Sequence, residues 1–91
     1  MTYVYLLINE YGIFYIGSTN DLKKRFKMHN TGKVYSTKGR KWKLVYYEAF
    51  ADEHDARERE QKLKHHANGI ILLKKRLVGS IKINSKKNDE G

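Results

Sequence analysis

The sequence predicts an α+β fold, a small three-stranded, mostly antiparallel sheet flanked by helices in the order ββαβαα. Three observations support this. Thr2–Ile8 and Ile13–Gly17 are β-branched, aromatic and apolar stretches separated by the turn residues Asn9–Gly12, the pattern of a hairpin. Lys43–Phe50 is a third stretch of the same kind. The segments after the second and third stretches begin with capping residues and carry apolar residues at helical spacing. Ninety-one residues hold one compact core. Residues 1–82 read as a single domain, followed by a polar, disordered tail over 83–91.

Thr2–Ile8 is apolar on both faces, so it reads as a buried strand. Thr19 or Asn20 can cap a first helix that runs to about Asn30 and is closed by Gly32. Val34–Trp42 reads as a polar, basic loop leading into the third strand. Asp52 caps a second helix, with Asp55 three residues on in an arrangement resembling a capping box. Acids at the start of that helix, and Lys62 and Lys64 at its end, suit the helix dipole. Asn68–Gly69 is expected to break it. Ile70–Ser80 follows as a short final helix with Ile70, Leu73 and Leu77 on one side.

The absence of cysteine excludes disulfides, thiolate zinc sites and cysteine nucleophiles. Any metal must therefore sit on oxygen or imidazole ligands. No apolar run is long enough to span a bilayer, and the first residues read as a strand rather than as a signal peptide. A cytoplasmic protein without a membrane partner is the expectation. The formal charge of +9 favours a polyanionic partner. Nine Lys/Arg and one acid lie between Asp21 and Tyr47, and eight Lys/Arg and no acid between Lys62 and Lys87. Glu48–Glu60 holds six acids against two arginines. An acidic island between basic stretches suits a site that holds a cation next to phosphate, although charged helix faces are usually just solvated.

Several residues fit a plain core poorly. Successive helix residues rotate by roughly 100°. Arg25 and His29 therefore fall beside Leu22 and Phe26, at the margin of the face that packs on the sheet, while Lys23, Lys24 and Lys27 point to water. Side chains that snorkel past a narrow apolar stripe would account for both equally well. In the second helix Ala56, Glu60 and Leu63 share a stripe. An ionised Glu60 there is costly unless it is paired or binds a metal. A salt bridge to Arg25 or to Lys64 is the alternative. Tyr5 and Tyr15 lie on adjacent strands, where their hydroxyls could converge, though tyrosines in strands are most often packing residues.

The ordered set resembles the GIY-YIG nuclease family over about Thr2 to Lys82. "YVY" (Tyr3–Tyr5) stands at the first family motif and "YIG" (Tyr15–Gly17) at the second. The helix with Arg25 and His29 follows, and "AREREQKLK" matches the helix bearing the family's glutamate. The chain is most similar to small stand-alone bacterial members related to the nuclease domain of the excision-repair endonuclease subunit. Tyr3 and Val4 replace the Gly and Ile of the family name, while the functional tyrosine is retained as Tyr5.

The resemblance implies metal-dependent hydrolysis of DNA phosphodiesters, with RNA as a further candidate substrate. Glu60 would be the sole protein ligand of one Mg²⁺ or Mn²⁺, and Arg25 would stabilise the phosphate. Tyr5 would be the general base, with its pKa lowered by Arg25 and the metal; His29 is its rival for that role. Tyr15 would orient water or phosphate. Gly17 would let backbone approach the substrate closely. Lys33, Lys38, Arg40 and Lys41, in the loop expected nearest the cleft, would contact the nucleic-acid backbone. The competing reading is a nucleic-acid-binding protein that keeps the fold without cutting.

Overall fold

The chain first turns back at Asn9, whose side-chain Oδ1 accepts the backbone N–H groups of Tyr11 and Ile13, both at 2.9 Å. Gly12 completes the turn at φ +79°, a left-handed conformation that glycine adopts without steric cost. The turn sets β1 (Thr2–Asn9) against β2 (Phe14–Thr19) in antiparallel register, with Tyr5 opposite Gly17 and Leu7 opposite Tyr15. β3 (Trp42–Phe50) pairs antiparallel with the other side of β1, so β1 is central in the order β2-β1-β3. The computed structural model describes residues 1–85 and has the three-stranded antiparallel α+β architecture expected of the sequence.

Side chains alternate along β1, and both of its faces are buried. Val4 and Leu6 face α2 (Glu53–His65), which contributes Ala56 and Leu63, and α3 (Ala67–Arg76), which contributes Leu73. Tyr5 and Leu7 face the opposite layer, where α1 (Leu22–Asn30) supplies Leu22 and Phe26 beside Trp42. A bulge in β3 pairs Leu6 with Tyr46 and Leu7 with Leu44, so Val45 and Tyr46 both pack on the α2 side. α4 (Val78–Ser85) lies against β3. Among the described residues no helix is long and apolar enough to cross a membrane.

Several boundaries differ from expectation. β2 continues to Thr19, whose hydroxyl accepts the Asp21 N–H at 3.1 Å, and this moves the helix cap along the chain. Asp21 rather than Thr19 or Asn20 caps α1, accepting the Lys24 N–H at 3.1 Å. Asn30 then holds both backbone groups of Trp42, accepting its N–H at 2.7 Å and donating to its carbonyl at 3.0 Å. β3 therefore begins at Trp42. The loop before it contains a 3₁₀ turn, Tyr35–Thr37. α2 ends at His65 with His66 as its C-cap, and Asn68–Gly69 lies inside α3 instead of breaking a helix. A Cβ on Gly69 would meet the Lys62 carbonyl at 3.3 Å, so the glycine lets the two helices approach.

The single final helix expected over Ile70–Ser80 is two helices that meet at Leu77. Its N–H is shared between the carbonyls of Leu73 and Lys74, both at 3.1 Å, which closes α3. α4 then runs to Ser85, so residues 83–85 of the expected tail are helical. Residues 86–91 lie outside the described residues.

Candidate active site

β2 is an edge strand with α1 over one face of the sheet and α2 over the other. A cleft of about 430 Å³ opens at this edge. Tyr5, Tyr15 and Gly17 come to it from the strands, Arg25 from α1 and Glu60 from α2. Ser18, Arg57 and Gln61 complete its wall. The first five were singled out in the sequence from four separate elements. The last three were not.

Gly17 has a local reason to be glycine. A Cβ there would come within 2.6 Å of Tyr5 Cζ and would also press on the Tyr5 hydroxyl. The missing side chain makes room for Tyr5 itself, before any substrate is considered. Tyr5 is 2% exposed, and its hydroxyl is 2.7 Å from His29 Nε2. Tyr15 packs edge-on against the His29 ring at 4.9 Å between centroids, and against Trp42 at 6.0 Å.

His29 is not at the margin of its helix. It is 1% exposed, because the chain after α1 folds back and places Thr37 over it. His29 Nδ1 and Thr37 Oγ1 are 2.8 Å apart, and the Thr37 hydroxyl donates to the Val34 carbonyl at 3.3 Å. Burial, and then the charge of Arg25, lower the His29 pKa from 6.5 to about 4, so the ring is neutral at pH 7. Burial also dominates at Tyr5. With a smaller push from Tyr15 it raises the phenol well above its ordinary value, and Arg25 offsets only part of this. Arg25 does lower the Tyr5 pKa, as expected, but desolvation is larger than the attraction of this one cation.

Glu60 is held at both oxygens. Ser18 Oγ donates to Oε1 at 2.6 Å and Lys64 Nζ bonds Oε2 at 2.8 Å. Burial opposes ionisation of Glu60, but the bonds from Lys64 and Ser18 outweigh it and hold the carboxyl below its ordinary value. Of the two partners the sequence allowed, Lys64 takes the carboxylate and Arg25 does not. This pairing is enough to keep an ionised carboxylate in place.

Among the described residues no group of three His, Cys, Asp or Glu converges on a point. A donor set of one carboxylate and a neighbouring hydroxyl does not suit zinc. It does fit a hard cation such as Mg²⁺, which keeps most of its waters and accepts one or two carboxylates. Lys64 is 37% exposed and can leave Glu60 for solvent.

Lys33, Lys38, Arg40 and Lys41 are exposed but do not line this cleft. Arg40 lies over the Tyr11 ring at 5.1 Å, and the Lys41 N–H reaches Glu10, so their loop sits at the hairpin turn. α1 carries the chain there, about 13 Å along the sheet for its nine residues. The expectation that this loop lies nearest the cleft is corrected accordingly. Thr37 had no signal in the sequence beyond its place in a polar loop. Ser18 could have been found from its position next to Gly17 on the same strand end.

Comparisons with known proteins agree with this fold. Residues 1–70 match the GIY-YIG catalytic domain. A UPF0213 protein of Lacticaseibacillus paracasei is 43% identical over 65 residues, which is 69% of this chain and 73% of that protein. One from Limosilactobacillus reuteri is 36% identical over 88 residues, covering 81% and 92% respectively. The solution structure of a UPF0213 protein from Bacillus halodurans superimposes with a TM-score of 0.54 at 33% identity, covering 85% of this chain and 87% of that one.

Proposed function

Because the chain belongs to the GIY-YIG family, we propose that it is a metal-dependent endonuclease that hydrolyses DNA phosphodiester bonds. The observation that carries this reading is the meeting of Tyr5, Arg25 and Glu60 at one cleft, with Tyr5 bonded to a neutral histidine. Mg²⁺ or Mn²⁺ held by Glu60 would supply charge stabilisation to the phosphate and the leaving oxygen when bound.

The remaining chemistry belongs to the chain's own side chains. Arg25 binds the scissile phosphate through its planar donors and offsets the charge that builds as the bond breaks. With its raised pKa, Tyr5 stays protonated at neutral pH. It therefore cannot wait as a phenolate. It acts as a relay: the attacking water gives a proton to the Tyr5 oxygen while Tyr5 passes its own to His29 Nε2. The water oxygen bonds phosphorus, the bond to the leaving oxygen breaks, and that oxygen takes a proton from solvent. The negative substrate phosphate offsets the field of Arg25 and so makes His29 more basic. Tyr15 orients water or phosphate. Lys33, Lys38, Arg40 and Lys41 hold nucleic-acid backbone at a distance from the bond that is cut.

The pairing of Glu60 with Lys64 supports one competing reading, a protein that binds DNA or structured RNA without cutting it, since the pair satisfies the carboxylate alone. Incubation of supercoiled plasmid, branched DNA and RNA with Mg²⁺ or Mn²⁺ separates the two. The nuclease reading expects metal-dependent cleavage that falls by about 10²–10³ in Arg25→Ala. Glu60→Ala should abolish it while leaving DNA affinity intact. Absence of cleavage by the native protein, or equal cleavage by both variants, favours the binder.

A further inference from the structure

A line of hydrogen-bonding groups runs from the cleft into the core: the Tyr5 hydroxyl, His29 Nε2 and Nδ1, the Thr37 hydroxyl and the Val34 carbonyl. The phenol, the neutral imidazole and the hydroxyl can each donate or accept, so the line could be polarised either way. Its two ends are not ambivalent. The Arg25 guanidinium only donates, and its charge acts on the Tyr5 phenol at the cleft. The Val34 carbonyl only accepts, and it faces Thr37 through both the hydroxyl at 3.3 Å and the backbone N–H at 3.2 Å.

A cation at one end and an acceptor-only carbonyl at the other favour one direction. Tyr5 donates to Nε2, Nδ1–H donates to Thr37 Oγ1, and the Thr37 hydroxyl donates to Val34. Reversing it would take the Thr37 hydroxyl proton away from Val34, aim a ring N–H at the Tyr5 oxygen beside the Arg25 cation, and leave the phenol proton without its histidine acceptor. His29 and Thr37 are each 1% exposed, so water does not substitute for either. The Trp42 Nε1–H donates to the Thr37 carbonyl at 3.0 Å, which keeps the 3₁₀ turn seated over the ring.

We propose that Thr37 is a positioning residue that fixes His29 in its Nδ1–H tautomer, so that Nε2 is the acceptor for the Tyr5 proton. The inference rests on the reading of Tyr5 and His29 as the proton-transfer pair, and it gives the loop before β3 a chemical task. When the Tyr5 proton arrives at Nε2, the ring becomes an imidazolium that keeps Nδ1–H bonded to Thr37. No proton has to leave the buried side. A ring held in the other tautomer would offer Tyr5 an N–H and could accept nothing from it.

The test is nitrogen NMR of protein labelled at histidine, at neutral pH. The native protein should show His29 Nδ1 protonated and Nε2 bare. Tyr5→Phe should keep that tautomer, because Thr37 sets it. Thr37→Val should lose it, by inversion or by a mixture of tautomers, and Thr37→Ser should restore it. Cleavage should follow the spectra, with kcat down by roughly 10- to 100-fold in Thr37→Val, KM unchanged and Thr37→Ser near native. A native ring protonated at Nε2, a tautomer that inverts in Tyr5→Phe, or a Thr37→Val ring that stays Nδ1–H would each overturn the proposal. The native and Tyr5→Phe spectra decide it even where Thr37→Val does not fold. Spectra as expected in a protein that cuts nothing would leave the tautomer assignment standing and remove the nuclease reading.

Discussion

On the α2–α3 side of the sheet, Val4, Leu6, Ala56, Leu63 and Leu73 close a layer made of carbon alone. On the α1 side the layer is buried as deeply, but it holds Tyr5, His29, Thr37 and Trp42 with their polar atoms joined to one another. The first layer draws its stability from area removed from water, which depends little on which apolar group fills the space. The second depends on every member being present, since deleting one partner leaves a buried donor or acceptor unsatisfied. One central strand carries both, because its side chains alternate. The lesson is that a domain this small can give one buried layer to stability and the other to proton transfer, while α2 brings Glu60 to the cleft at the sheet edge.

The largest effect should come from the carbon layer. Leu6→Ala should lower stability by about 2–5 kcal/mol in urea unfolding. The His29 nitrogen signals of the protein that remains folded should not change; a changed tautomer would show that the faces are coupled. Gly17→Ala tests the other face. The added Cβ has no room beside Tyr5. About 1–3 kcal/mol of destabilisation is expected, together with loss of cleavage in the folded fraction. Full activity would mean that Tyr5 can move without consequence.

Acid separates the faces next. The His29 pKa is about 4 in the folded protein against an ordinary 6.5, so as pH falls the unfolded chain takes up its proton first. The contribution of the buried neutral ring is complete above about 6.5 and is lost progressively toward 4, on the order of 3 kcal/mol. Glu48 and Glu60, whose pKa values are lowered from 4.5, add their own losses only below that point. Unfolding measured between pH 6.5 and 5 should therefore show the slope in the native protein and not in His29→Gln. An identical slope in the two would assign it elsewhere. The smallest effect belongs to the α1 cap. Asp21→Ala should cost about 1 kcal/mol, and a much larger loss of stability would mean that the position of α1, and with it Arg25 and His29, depends on that one bond.

The strands were legible because β1 is apolar on both faces and Asn9–Gly12 is turn chemistry. The grouping of Tyr5, Tyr15, Gly17, Arg25 and Glu60 followed from strand alternation, helical periodicity and the family resemblance together. What stayed hidden depends on tertiary contact. Thr37 is a single threonine in a basic loop, and its burial is created by the 3₁₀ turn and the Trp42 indole. The junction at Leu77 involves no proline, and α3 and α4 continue around it, so local propensity gave no warning. Lys33, Lys38, Arg40 and Lys41 were placed too near the cleft because sequence shows that a loop follows a helix but not which end of the sheet that helix reaches.

The fit of Tyr5 over Gly17 also bears on how such proteins diverge. In a lineage that keeps the tyrosine, a methyl group at position 17 crowds the phenol and costs stability and cleavage, so selection orders the changes at the two positions. Tyr5 must give way to a smaller residue first, and only then is position 17 free to vary. A relative with a side chain at position 17 should therefore already lack the tyrosine, and its sequence would record the loss of this chemistry before any assay was run.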